Sequence, residues 1–325
     1  MARGVRRVAV VLLLAASGGA WAAWAASDHR AEVTFPGERV YPESITATAD
    51  GTLLVGSIVE GGVFRVRPGA ATAERWIPPG AGDSMSTFGV LADERSGTLW
   101  VCSNDASALG VPPPGGRTKP VALKAFDLAT GVPKASYTLP GDKTFCNDAA
   151  VAPDGTVYVT DSVQPHVLRL RPGAAALEVW AEHPSFGGGA ILDGIEIGAD
   201  GSVYVNTFTS GRLFRIAMGP DGKAGQVTEL RTSQPLDHPD GMRRYGQDAL
   251  LLAEGGGRFD IVHLDGGDNA RVEVVKDGYK GPVSVVQVGD VAWILEGQQS
   301  TLFGPKAGGK PGPFRAYAVP LPARQ

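Results

Sequence analysis

Residues 147–162 read NDAAVAPDGTVYVTDS. A strand of small apolar residues opens on Asn147 and Asp148, and a Pro-Asp-Gly turn reverses it. A second strand then runs from Val157 to Asp161. Asp154-Gly155 supplies the positive φ that a tight hairpin needs. The same layout recurs as ESITATADGTLLVGS from Glu43, FGVLADERSGTLWVCS from Phe88 and DGIEIGADGSVYVNT from Asp193. It continues as DGMRRYGQDALLLAE from Asp240 and VSVVQVGDVAWILE from Val283. Successive starts are 45, 59, 46, 47 and 43 residues apart. Strand pairs repeating at this period around Asp-Gly turns mark a β-propeller.

Each pair is followed by a third strand, as in GGVFRVRP from Gly61, HVLRLRP from His166 and GRLFRIA from Gly211. A fourth often follows, ending at Trp76 or Trp180. The alternation of apolar and polar residues fits half-buried strands. The expected fold is therefore all-β: a six-bladed β-propeller, with no helix of any length. A sandwich is hard to reconcile with a six-fold period. The last blade has strands from Val283, from Ala292 and over Pro313–Leu321, and lacks a fourth. Ala31 to Phe35 can supply it, closing the ring between the two chain ends and removing an open sheet edge.

Composition agrees. Of 325 residues, 45 are Gly and 24 are Pro, spread along the chain as many turns would be. With 20% charged residues and a net charge of -4, an acidic disordered chain is excluded. No Lys/Arg cluster is large enough for nucleic acid to be the partner. Two cysteines make neither a disulfide scaffold nor a Cys-only zinc site. No phosphate-binding loop of the usual pattern appears.

The first 26 residues read as a secretory signal and 27–325 as a single propeller domain. Arg3, Arg6 and Arg7 precede an apolar run from Val8 to Ala16, and Ala20-Trp21-Ala22 and Ala23-Trp24-Ala25 offer cleavage sites. The run is too short to span a bilayer. The expected location is secreted or periplasmic, with no stable membrane anchor after cleavage; an uncleaved anchor is the alternative. Export permits a disulfide between Cys102 and Cys146; two buried free thiols are the other reading.

In a propeller the first strand of each blade lines the central channel, so the repeat starts converge on one axis. Those starts are Glu43, Phe88, Asn147, Asp193, Asp240 and Val283. Four carry oxygen donors and three of these are carboxylates. Gathering them without a cation is costly, through like-charge repulsion and desolvation. Oxygen-only ligation favours calcium, with magnesium and then manganese as alternatives. Each residue alone could be a turn former; the shared blade position favours a metal site.

These residues resemble the senescence-marker-protein/gluconolactonase/luciferin-regenerating family, and more distantly the paraoxonases. Pro42-Glu43-Ser44, Cys146-Asn147-Asp148 and above all Pro239-Asp240-Gly241-Met242 carry the resemblance, which covers the chain from about residue 35. It implies a six-bladed propeller with a catalytic divalent metal, in which many members hydrolyse lactones. Glu43, Asn147 and Asp240 match family residues at the metal. Asp193 stands where the family usually has asparagine, adding one negative charge. Asp240 matches the ligand that is also a general base; Asp148 is a second candidate for that role, with a turn former or a partner of the site residues, its side chain off the axis, as the other reading. Phe145 stands where sugar-lactone hydrolases have arginine, and Phe88 where paraoxonase-like members have histidine.

The implied activity is hydrolysis of an apolar lactone or related ester by a monomeric exported enzyme. Phe88, Phe145 and Asn104 are the expected pocket residues. The long links Asn104–Pro120 and Gly297–Gly312 are expected on the same face. Asn104, Asp161, Glu254 and Glu296 end strands there, and blade-to-blade hydrogen bonding is their other reading. No G-x-S-x-G elbow supports a covalent mechanism. His238 reads as a solvated loop residue, with reach toward the site as the other option. The alternative function is a non-hydrolytic calcium-binding or strictosidine-synthase-like propeller acting as a binding module.

Overall fold

The computed structural model describes residues 31–113, 116–303 and 307–322, together with Met1. The expected secretory signal lies outside these residues. Among the described residues twenty-four strands, β1 to β24 in chain order, form six four-stranded antiparallel blades. The innermost strands are β2 (Pro42–Ala47), β6 (Ser86–Asp93), β10 (Cys146–Val151), β14 (Leu192–Ile197), β18 (Pro239–Tyr245) and β22 (Pro282–Val288). Each packs beside the next, and β22 packs on β2, so the ring is closed. Closure is made by β1 (Glu32–Phe35) pairing with β24 (Phe314–Pro320) in register Glu32 to Tyr317 and Phe35 to Phe314. The only helical segments among the described residues are three-residue 3-10 turns.

The hairpins form for local reasons. Gly51, Gly155 and Gly201 sit at φ 85°, 86° and 77°. Asp50, Asp154 and Asp200 each accept a hydrogen bond from the backbone N–H two residues on, at 2.9–3.0 Å. A short carboxylate thus completes the same turn in three blades.

The apolar cores lie between neighbouring blades. Phe64, Phe126, Phe214, Phe259 and Phe314 are fully buried, one in the third strand of five blades. Each such ring withdraws enough apolar surface to contribute up to about 3 kcal/mol. One link was not foreseen: β17 (Ala224–Thr232) pairs in parallel with β21 (Asn269–Lys276), joining the outer edges of blades 4 and 5.

Every inner strand changes register at its axial position. The shifts fall between Pro42 and Ile45, Thr87 and Val90, Cys146 and Ala149, Leu192 and Ile195, Pro239 and Met242, and Pro282 and Ser284. A bulge places an extra residue on one strand and re-aims a side chain. Here it recurs around the ring at the six repeat starts.

Cys102 and Cys146 are disulfide-bonded, joining β7 (Thr98–Asn104) of blade 2 to β10 of blade 3 across 44 residues. Closing a loop of that length restricts the unfolded chain by about 4 kcal/mol on the loop-entropy relation. Replacing both cysteines by alanine should lower stability by up to about that amount. Urea unfolding of the oxidised protein and the double variant measures it; an unchanged midpoint would show the bond contributes nothing.

Candidate functional site

The bulges bring Glu43, Asn147, Asp193 and Asp240 together inside the ring, each only 4–7% exposed. Glycines make the approach tight. A Cβ on Gly194 would stand 2.4 Å from the Asp240 carbonyl oxygen, and one on Gly89 would stand 2.3 Å from that of Asn147. The backbones of neighbouring blades meet where no side chain fits. The residues two before three axial carboxyls, Tyr41, Ile191 and His238, are in the left-handed region at φ 43°, 58° and 57°. Non-glycine residues are held there only by surrounding structure, and such strain gathers at functional sites.

The polar contacts are specific. Asn147 Nδ2 donates to Ser162 Oγ at 2.8 Å and to Asp193 Oδ2 at 3.2 Å. Ser162 Oγ donates onward to the Leu192 carbonyl at 2.6 Å. Asp240 Oδ1 accepts from the Gly241 N–H at 2.9 Å. Asp193 and Asp240 lie carboxyl against carboxyl. Glu43 Oε2 is buried without a hydrogen-bond partner.

Asp148 takes its partner reading and not the catalytic one. Arg243 Nη1 donates to its Oδ2 at 2.7 Å and Arg243 Nη2 to its Oδ1 at 3.2 Å. Its Oδ1 also accepts from the Ala149 N–H at 2.9 Å. With both oxygens engaged in a buried ion pair, Asp148 is poorly placed to take a proton. Arg243 was missed in the sequence. The available signal was an arginine three residues after Asp240, between Met242 and Arg244 on the strand that carries Asp240.

The aromatic residues do meet. Phe88 and Phe145 are edge to face, with centroids 4.7 Å apart, Phe88 buried in an apolar core cluster and Phe145 packed against it. Asn104 has another task. Its Nδ2 donates to the Cys146 carbonyl at 2.7 Å and its Oδ1 accepts from the Cys146 N–H at 2.9 Å, so the fully buried amide clamps blade 2 to blade 3. Asn206 likewise ties Gly194 to the Asp240 carbonyl, and Thr160 reaches the Asp193 carbonyl. Asp161, Glu254 and Glu296 hold the chain leading into their own blades, at Phe145, Asp237 and Lys280. His238 is exposed, bonded through Nδ1 to Asp237 at 2.7 Å and packed on Phe208.

A cavity of about 1050 Å³ lies where both long links approach the start of blade 1. Tyr41, Gly110, Thr301 and Leu302 are on its wall, and the Tyr41 hydroxyl is 3.1 Å from Thr301 Oγ1. The links thus gather at the ring closure, and Tyr41 on the cavity wall is two residues before Glu43 in the chain.

Four buried carboxyls face one buried guanidinium here, and their titration follows. Burial, then Asp193 and Asp148, raise the Glu43 carboxyl well above the usual range. Burial, then Asp193 and Glu43, do the same for Asp240. Burial and Asp148 push Asp193 up to about 7. No group of three or more His, Cys, Asp or Glu side chains among the described residues is drawn together as a metal-holding cluster. The orphaned Glu43 oxygen and the apposed Asp193 and Asp240 nevertheless lack positive charge, which protons or a cation must supply. An all-oxygen set of this kind suits a hard divalent cation.

This is a six-bladed propeller with a carboxyl-lined axis. No family model matches the sequence, and no curated protein does. Solved structures do share the fold. A gluconolactonase from Xanthomonas campestris is 18% identical with a TM-score of 0.63, over 90% of this chain and 89% of the other. A luciferin-regenerating enzyme is 13% identical with a TM-score of 0.66, over 87% and 92%. Virginiamycin B lyase from Staphylococcus aureus is 14% identical with a TM-score of 0.58, over 89% and 98%. At such identity the likeness is one of fold, which these proteins use for different chemistries.

Two outcomes are expected. Gly194→Ala should lower the melting temperature and displace Asp240, because its methyl meets backbone; a fully stable variant would refute the close approach. Away from the axis, Asp260 is buried with neither oxygen hydrogen-bonded, and burial beside Glu254 pushes it up to about 8. A carboxyl raised in the folded state stabilises it at low pH and loses that contribution as the pH climbs from about 4 through 8. Chelated protein should therefore melt at lower temperature as pH rises through this window, and Asp260→Asn should flatten the decline. A melting curve with unchanged slope in the variant would contradict this.

Proposed function

We propose that this chain is an exported, divalent-metal-dependent hydrolase of lactones or related esters with apolar substituents. The observation that carries the reading is the convergence of Glu43, Asn147, Asp193 and Asp240 with too little positive charge among them. The resemblance in the Pro-Asp-Gly-Met stretch and the fold shared with a gluconolactonase support it. The N-terminal residues support export, and the bonded Cys102–Cys146 pair suits an oxidising compartment.

Glu43, Asp193, Asp240 and the Asn147 side-chain oxygen would hold the cation, with calcium the best match to an oxygen-only set. When bound, it stabilises negative charge developing on a carbonyl oxygen. Asn147, tied to Ser162 and Asp193, orients the ligand set. Asp240 takes the proton of the attacking water on its carboxylate. Phe88 and Phe145 seat the apolar part of the substrate and keep water from that side. Among the described residues the guanidinium beside these carboxyls is bound to Asp148, which disfavours recognition of a polyhydroxylated or anionic substrate.

A second reading is a non-hydrolytic, calcium-binding propeller. The near-complete burial of the four axial residues favours it, because a cation closed in by protein has no open position for substrate. Activity decides between them. The mature protein would be assayed on aliphatic, aromatic and sugar lactones and on aryl esters, after chelation and after adding calcium, magnesium or manganese. Hydrolysis should require metal, favour apolar lactones over gluconolactone, and fall at least about 100-fold in Asp240→Ala. Tight metal binding with no turnover on any substrate would favour the second reading.

A further inference from the structure

The Arg243–Asp148 pair stands inside the ring, running from β18 of blade 5 to β10 of blade 3 past the inner strand of blade 4. Both side chains are buried, and the pair is bidentate. It is built into the axial strands: Asp148 follows Asn147 directly, and the Thr160 hydroxyl accepts from the Asp148 N–H at 3.1 Å and donates to the Asp193 carbonyl at 2.6 Å. Arg243 is in turn held charged by Asp148, then by Glu196 and Glu43, against its own burial.

We propose that this pair sets the charge of the axial site: while the two groups are paired, divalent-cation affinity is left to the ligands, and loss of either half alone shifts it. The proposal rests on the metal reading above. The argument is electrostatic. As a pair, the two groups present no net charge to a cation among Glu43, Asp193 and Asp240. Each half alone is different. An unpaired guanidinium buried beside the axial strands repels a divalent ion, and an unpaired carboxylate attracts it, and burial weakens the screening of either. Arg243 also withdraws Asp148 from the ligand set by engaging both its oxygens. That leaves three carboxyls and one amide for the metal, although Asp148 is next to Asn147 in sequence. The negative charge that Asp193 adds is thereby not compounded by Asp148.

The test is calcium titration of the chelated protein by calorimetry at one fixed pH. Asp148→Asn should weaken binding about tenfold or more. Arg243→Met should bind as tightly as the parent or more tightly. The double variant, neutral at both positions, should return to within about threefold of the parent. A pair with only a structural role predicts another order: both single variants weaken binding alike and the double is no better. That order, or an Asp148→Asn variant with parental affinity, overturns the proposal. Circular-dichroism melting accompanies each titration. If a single variant does not fold, Arg243→Lys replaces it in the test. Keeping the charge, lysine should hold affinity within about threefold of the parent, and a loss of tenfold in a folded lysine variant overturns the proposal. A parent protein that binds no calcium, magnesium or manganese removes the metal reading itself, a result distinct from any order among the variants.

Discussion

Carboxyl groups gathered on one axis, out of water, are the constraint around which this propeller is arranged. Glu43, Asp193 and Asp240 repel one another and each loses hydration. Such groups persist only if protons, cations or hydrogen bonds compensate them. The protein provides part of the answer itself: Arg243 cancels Asp148, and Asn147 donates to Asp193. What is left uncompensated is the Glu43 oxygen and the Asp193–Asp240 contact. That residue of negative charge gives the site its chemical character.

The scaffold has to hold those groups against their repulsion. It does so with devices repeated from blade to blade. A bulge in each inner strand aims one side chain at the axis. Glycine beside three of the axial residues lets neighbouring backbones meet. Asn104, Thr160 and Asn206 bond across blade boundaries to the backbone at or beside an axial residue of the next blade. The disulfide at Cys146 anchors the strand that carries Asn147. These contacts are buried and therefore largely unscreened, so they position side chains more firmly than surface ion pairs would.

The shared fold does not choose a reaction. A gluconolactonase, a luciferin-regenerating enzyme and a lyase all have it. Here the distinguishing features are local. Phe88 and Phe145 pack edge to face at the start of blades 2 and 3, and among the described residues the guanidinium beside the axial carboxyls is already paired with Asp148.

The blade repeat, the ring closure and the axial residues were legible because each is written in local order. Asp-Gly turns need positive φ, strands alternate, and the repeat start falls on the innermost strand. Residues in the same register must then share an axis. Even the pairing of Ala31–Phe35 with the last blade followed from a missing strand, and the structure pairs Glu32–Phe35 with it. The partners of those axial residues were not legible. Asp148 and Arg243 are 95 residues apart, and nothing in either neighbourhood names the other. Asn104 allowed a pocket role or a blade-to-blade bond, and the choice is made by Cys146, 42 positions on. Local sequence determines which residues face the axis, since backbone periodicity decides it. Which of them are paired, and so what net charge the site presents, is decided only when the blades close on one another in three dimensions.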